Sequence, residues 1–258
     1  MLLELRGVSR SFGGLKAVQG LSLQVPENSL SALIGPNGAG KTTVFSLMSG
    51  FLKPDHGQVF FKGQDITGLA AHECAKLGLT RTFQIVQPFA NQSVRENIAV
   101  GAHLHLKSRA QALAYASDVA EQVGLHGLLD QPAGELTVAA RKRLELARGL
   151  STRPSLLLLD EVLAGLNPQE IAEMLPVIQG IVQGGVSVLM IEHVMQAVMN
   201  LARHVWVLSQ GELIFAGPTE LISIDEAVIE AYFGAAGAAK LRAAQSGGST
   251  PSPKRGQS

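Results

Sequence analysis

The chain has 258 residues, 46% of them hydrophobic and 16% charged, with 21 basic residues set against 21 acidic ones. That is enough chain to bury a core without a disulfide or metal staple, and the balanced charge lacks the basic excess of a nucleic-acid binder, so no nucleic-acid partner is expected. The single cysteine, Cys74, excludes an internal disulfide and suits a reducing compartment.

The first segment, MLLELRGVSR, carries Glu4 within its apolar stretch and does not read as a secretion signal. Leu2–Leu5 and Leu21–Val25 read as strands around the turn residues Phe12-Gly13-Gly14. Ser29–Ile34 is a third strand, running into a glycine-rich loop at Gly35. Thr42–Ser49 then reads as a helix, with Gly50 at its stop, and Gly57–Gly63 as a short strand. From about Pro88 to Leu150 the pattern is helical. Leu156–Leu159 and Val186–Ile191 are continuous apolar runs, as expected of buried parallel strands. The helix Pro168–Val182 between them completes a βαβ unit. Val205–Leu208 and Leu213–Ala216 read as a hairpin joined by Ser209–Glu212. The tail, 235–258, is rich in Ala, Gly, Ser and Pro and is expected to be disordered. The two apolar strands are far shorter than the roughly 20 residues that cross a bilayer. Work at a membrane would therefore require another subunit as the anchor.

Two motifs carry chemistry. Gly35–Thr42 reads GPNGAGKT, the P-loop pattern G-x-x-x-x-G-K-[ST], placed between a strand and a helix as that pattern requires. Gly35, Gly38 and Gly40 let successive backbone amides converge on phosphate oxygens, and the following helix N-terminus adds to the attraction. Lys41 is expected to reach the β- and γ-phosphates and Thr42 to ligate Mg²⁺. Gly35, Asn37, Gly38, Ala39, Gly40, Lys41, Thr42 and Thr43 are thus the expected nucleotide-binding residues. In LLLLDE, Asp160 and Glu161 stand at a strand end, where an open parallel sheet binds ligands. Asp160 is expected to hold Mg²⁺ and Glu161 to activate the attacking water.

With these motifs the chain resembles the ABC-type ATPases across residues 1–234, and it adds RTFQ at Arg81–Gln84 and IEH at Ile191–His193. The resemblance implies an α/β fold: a P-loop RecA-like core, an N-terminal antiparallel β subdomain and an inserted helical subdomain at about 88–150. It implies that Gln84 senses Mg²⁺ and the water, and that His193 contacts the γ-phosphate. Phe12 falls where the family stacks an aromatic ring on adenine; a core phenylalanine is the alternative. The cofactors implied are ATP and Mg²⁺.

Two sites depart from the family. Its signature LSGGQ is replaced by Leu136-Thr137-Val138-Ala139-Ala140, which lacks both glycines, and the D-loop aspartate by Asn167. In the family the signature of one subunit closes over the γ-phosphate held by another. A heterodimer with a second ABC ATPase therefore suits this chain better than a homodimer, with its own nucleotide facing the partner's regular signature. The segments RTFQIVQPFANQSVRENIAVGA, DEVLAGLNP, IEHVMQAVM and VIEAYFG are similar to ATPases of branched-chain amino acid importers. That similarity implies permease partners, an indirect link to a solute-binding protein, and attachment at the cytoplasmic face of the inner membrane. Two alternatives stay open: a non-transport ABC ATPase, and a regulatory subunit that binds nucleotide but hydrolyses it poorly.

Overall fold

The computed structural model describes residues 1–82 and 87–232. Gln84 and the expected disordered tail lie outside them.

Strands β1 (Leu3–Phe12) and β2 (Leu15–Val25) form an antiparallel hairpin that turns through Gly13 and Gly14. Both are longer than the apolar runs suggested, because shifts in register between Leu5 and Ser11 break the alternation that announces a strand. The buried strand β3 (Leu30–Ile34) leads through the glycine-rich loop into helix α1 (Lys41–Met48). Next come β4 (His56–Phe61), β5 (Gln64–Asp65), α2 (Ala71–Leu77) and the short β6 (Leu79–Arg81). Three helices occupy most of the region read as helical: α3 (Val94–Ala102), α4 (Arg109–Gln122) and α5 (Val138–Ser151). The chain then alternates through β7 (Leu156–Asp160), α6 (Pro168–Gln183), β8 (Ser187–Ile191) and α7 (Met195–Leu201). It closes with the hairpin β9 (His204–Ser209) and β10 (Glu212–Pro218). Gln210 and Gly211 turn that hairpin with φ of 51° and 81°, the left-handed pair that matches strand twist.

The first sheet has the order β2-β1-β4-β5, and the second β10-β9-β3-β8-β7-β6. Within the second, β3, β6, β7, β8 and β9 run parallel and β10 antiparallel. Every residue of β3, β7 and β8 is buried, as a sheet covered on both faces demands. Alternate side chains separate into two cores. Ala32, Ile34, Leu157, Leu159, Val188 and Met190 pack toward the side holding α3, α4, α5 and α6. Leu33, Leu156, Leu158, Leu189 and Ile191 pack toward α1 and the first sheet.

This topology assembles the site. Strand β8 lies between β3 and β7, with Leu33 and Asp160 both in register with Ile191. The carboxyl ends of three adjacent strands therefore present the glycine-rich loop, Asp160-Glu161 and Glu192-His193 at one edge.

Candidate functional site

The loop Gly35–Gly40 needs its glycines. Gly35, Gly38 and Gly40 have φ of 148°, 79° and 102°, a region that side-chain-bearing residues avoid. A Cβ at Gly35 would overlap the Leu208 carbonyl, and one at Gly40 the Ala17 carbonyl. Lys41, 6% exposed, folds back over the loop, and its Nζ donates to the carbonyls of Gly35 (2.8 Å) and Pro36 (3.0 Å). Burial lowers its pKa, while the charges of Glu161 and Asp160 oppose that shift. The Lys41 ammonium thus waits at the base of the loop, satisfied by neutral acceptors that a phosphate can displace.

Above the loop opens a cleft of about 950 Å³. Asn37 to Thr43 form its floor, Phe12, Lys16 and Gln210 enter from the hairpins, and Glu161 and His193 from the strand ends. Phe12 is 43% exposed, so the reading of it as a core residue is overturned. It stands at the end of β1, with the Arg10 guanidinium 5.1 Å from its ring centre, and it offers a ring face to a flat ligand.

Glu161 follows β7 directly with φ of 50°, an uncommon conformation for a non-glycine residue. Its amide donates to Ile191 O (2.9 Å), which locks the end of β7 to that of β8. Its Oε1 meets His193 Nε2, so the two residues expected to act on the γ-phosphate and the water form a hydrogen-bonded pair. The Glu161 side chain is 13% exposed and that of His193 42%; the carboxylate lies deep and the imidazole reaches outward.

Asp160 does not line the cleft. It is 1% exposed and pairs with Arg81, whose Nη2 approaches Oδ2 at 2.6 Å while Nη1 donates to Ser46 in α1 (2.8 Å). Asp160 Oδ1 is buried with no hydrogen-bond partner among the described residues. An orphaned carboxylate oxygen is costly, and a hydrated divalent cation would satisfy it, so the site fits Mg²⁺. Thr42, exposed and next to Lys41 on the cleft floor, would supply a second hard oxygen.

The two altered segments are used locally. Thr137 caps α5, its Oγ1 accepting the Ala140 amide (3.2 Å), and Val138 projects into solvent at 55% exposure. Asn167 caps α6, accepting the Glu170 amide (3.0 Å) while Glu170 accepts the Asn167 amide (2.8 Å). The Asn167 side-chain oxygen is therefore engaged within its own chain.

Three buried charges around this site escape a reading of the sequence. Arg81 figures there only as part of RTFQ. Lys142, 7% exposed, sits within the basic run Arg141–Arg143 and gives no sign of being internal. Glu192, 2% exposed, does give a signal: a carboxylate at the end of an apolar strand.

A family description, ABC transporter, matches residues 18–164. The high-affinity branched-chain amino acid transport ATP-binding protein BraF of Pseudomonas aeruginosa is 39% identical over 251 residues, covering 91% of this chain and 98% of BraF. The corresponding protein LivG of Escherichia coli K12 is 37% identical, with the same 91% and 98% coverage. Among solved structures, a nucleotide-free ATP-binding cassette from an ABC transporter superposes with a TM-score of 0.82 at 30% identity, covering 90% of this chain and 98% of the cassette. An ADP-bound cassette of an ABC transporter gives 0.82 at 31% identity with the same coverage.

Proposed function

The chain belongs to the ABC transporter family of ATP-hydrolysing subunits, and from that premise we propose that it powers the import of branched-chain amino acids or a closely related small solute. Its identity to BraF and LivG over nearly their whole length supports the solute class. No helix among the described residues is long and apolar enough to cross a membrane. Permease subunits would accordingly anchor the chain at the cytoplasmic face of the inner membrane, with a solute-binding protein acting beyond them.

The observation that carries the reaction is the convergence of the glycine-rich loop with the Glu161–His193 pair on one cleft. The adenine stacks on Phe12. The loop amides and α1 hold the phosphate chain, and Lys41 exchanges the carbonyls of Gly35 and Pro36 for the β- and γ-phosphate oxygens. Thr42 and Asp160 would hold Mg²⁺, which would supply positive charge to those same oxygens. Glu161 takes the proton of the attacking water. His193 fixes the Glu161 carboxylate from outside and faces the γ-phosphate. Gln84 is assigned to the metal and water by its motif alone. No covalent intermediate is needed, so placement and charge provide the acceleration.

The second ATPase of the importer would be a different chain. The exposed Val138 and half-buried Ala139 at the start of α5 make this chain's own signature a poor lid, whereas a partner with a regular signature would complete its nucleotide site. The test is Glu161→Gln in the complex reconstituted with permeases in vesicles. The expected result is retained ATP binding, loss of turnover and loss of ATP-driven uptake of leucine, isoleucine and valine. Turnover at the parental rate would remove Glu161 as the base. Uptake absent in the parental complex would remove the solute class.

A further inference from the structure

Glu161 has a backbone conformation that its own residue type disfavours, and its carboxylate must nevertheless be placed to within a fraction of an ångström. In the turn that carries it, Glu161 to Ala164, the Glu161 amide bonds Ile191 O (2.9 Å) and the Ala164 amide bonds Glu161 O (3.2 Å). Two buried charged side chains from other elements also hold this turn. Lys142 of α5 reaches across and donates from Nζ to Glu161 O (3.1 Å). Glu192, at the end of β8, accepts the Leu163 amide on Oε1 (2.9 Å). One grips the carbonyl side of the turn and the other its amide side, two residues later.

We propose that Lys142 and Glu192 are positioning residues that clamp the 161–163 turn and so aim the Glu161 carboxylate at the attacking water. The inference rests on the reading of Glu161 as the base. Neither residue lines the cleft, so neither touches nucleotide directly. Both are costly to bury, and their surroundings show why they are kept together. Burial lowers the Lys142 pKa, and the charges of Glu192, Glu161, Glu145 and Asp160 oppose that shift, Glu192 foremost. Burial pushes Glu192 up to about 7, opposed by the backbone amides of Leu163 and His193. Apolar residues in both places would stabilise the fold more simply. What they would not supply is a hydrogen-bond donor and an acceptor at fixed points on a strained turn. The clamp also joins Glu161 to α5, the helix that Thr137 caps, and to the residue next to His193.

The experiment separates turnover from binding in the assembled transporter. Lys142→Met removes the donor while keeping an unbranched chain, and Glu192→Leu removes the acceptor. Each should lower kcat at least about tenfold, the consequence of losing one charged hydrogen bond from a catalytic alignment. The dissociation constant for ATP should stay within about threefold of the parent. The conservative changes Lys142→Arg and Glu192→Gln, which keep a donor and an acceptor, should restore at least about a third of parental turnover. Because both residues hold one turn, the double variant should lose less than the product of the single losses. A kcat within twofold of the parent for Lys142→Met and Glu192→Leu overturns the clamp. So does a parallel loss of ATP affinity and turnover, or a failure of Arg and Gln to rescue. Thermal melting of each variant identifies any that fail to fold, and the Arg and Gln pair then decides alone. Glu161→Gln is measured beside them: if it hydrolyses at the parental rate, the base assignment fails independently of the clamp.

Discussion

Replacing Arg81 with methionine would test whether the buried ion pair at Asp160 holds its carboxylate as firmly as its burial suggests. The Arg81 side chain is 8% exposed and that of Asp160 1%. One Asp160 oxygen already lacks a partner among the described residues, so removing the guanidinium takes the paired cation from the other and leaves a carboxylate in the core. Breaking such a pair from one side costs about 3–5 kcal/mol. The guanidinium also lies 5.9 Å from the Phe45 ring centre and 5.8 Å from that of Phe51, and methionine keeps most of that apolar contact. A domain of this kind has a total stability of about 5–15 kcal/mol, so the loss is a large share. Urea unfolding in EDTA without nucleotide measures it as a shift in midpoint at constant slope. Adding Asp160→Asn to the variant removes the stranded charge and should recover more than half of the loss. A deficit below about 1 kcal/mol, or no recovery in the double variant, would refute the reasoning and show that water or a rearranged side chain already compensates Asp160.

Lys41→Ala should abolish hydrolysis and weaken ATP binding at least about a hundredfold, since the cation that meets the phosphates is gone; a titration with a fluorescent ATP analogue checks it. Glu192→Gln should change the pH dependence of stability. Glu192 has its folded pKa raised above the ordinary 4.5 to about 7, so the folded state holds a proton that the unfolded state has released between those values. Its effect on stability is absent below 4.5, grows unfavourably as pH rises to about 7, and is then constant. At about 1.4 kcal/mol per pH unit, the full penalty is about 3 kcal/mol. Relative to the parent, the glutamine variant should therefore gain stability between pH 5 and pH 8, which melting curves at the two values would reveal. An unchanged difference between them would mean that Glu192 is not titrating in that window.

What was legible in the sequence was local chemistry. The P-loop, LLLLDE and IEH are contiguous strings whose residue types are dictated by phosphate, metal and water, and each sits where a parallel strand ends. Continuous apolar runs gave β7 and β8 nearly to the residue, because strands covered on both faces favour apolar side chains throughout, and β3 was marked by the glycine-rich loop it runs into. The long hairpin of β1 and β2 reads as shorter than it is, since its bulges shift the alternation and polar residues occupy its exposed face. The three-residue β6 is invisible for a related reason: too few residues to show a period. Arg81 and Lys142 were illegible because their partners lie 79 and 19 positions away. Nothing in a basic run distinguishes the lysine that turns inward, and only the packing of α5 against the turn after β7 does so.

The altered signature gives the most exposed prediction, and the geometry of α5 sharpens it. Thr137 uses its hydroxyl to accept the Ala140 amide (3.2 Å), so the helix N-terminus is intact although the glycines are gone. What has changed is the surface beyond it, where Val138 stands 55% exposed on the approach that the family resemblance reserves for a partner's γ-phosphate. Val138→Gly with Ala139→Gly clears that approach and leaves the Thr137 cap in place. Two glycines in the first turn weaken the helix by about 1 kcal/mol each at most, which the packing of its buried residues can absorb. Neither residue lines the chain's own cleft, so ATP affinity of the single chain should be unchanged. Turnover by the chain alone should rise about tenfold or more, as expected when about 1.4 kcal/mol of transition-state stabilisation returns. In a mixture with an ATPase of regular signature the rise should be much smaller, because this chain's nucleotide already faces glycines there. Equal turnover by the parental chain alone and by the mixture would defeat the argument, since it would mean that the backbone amides at the start of α5 serve the phosphate despite their side chains.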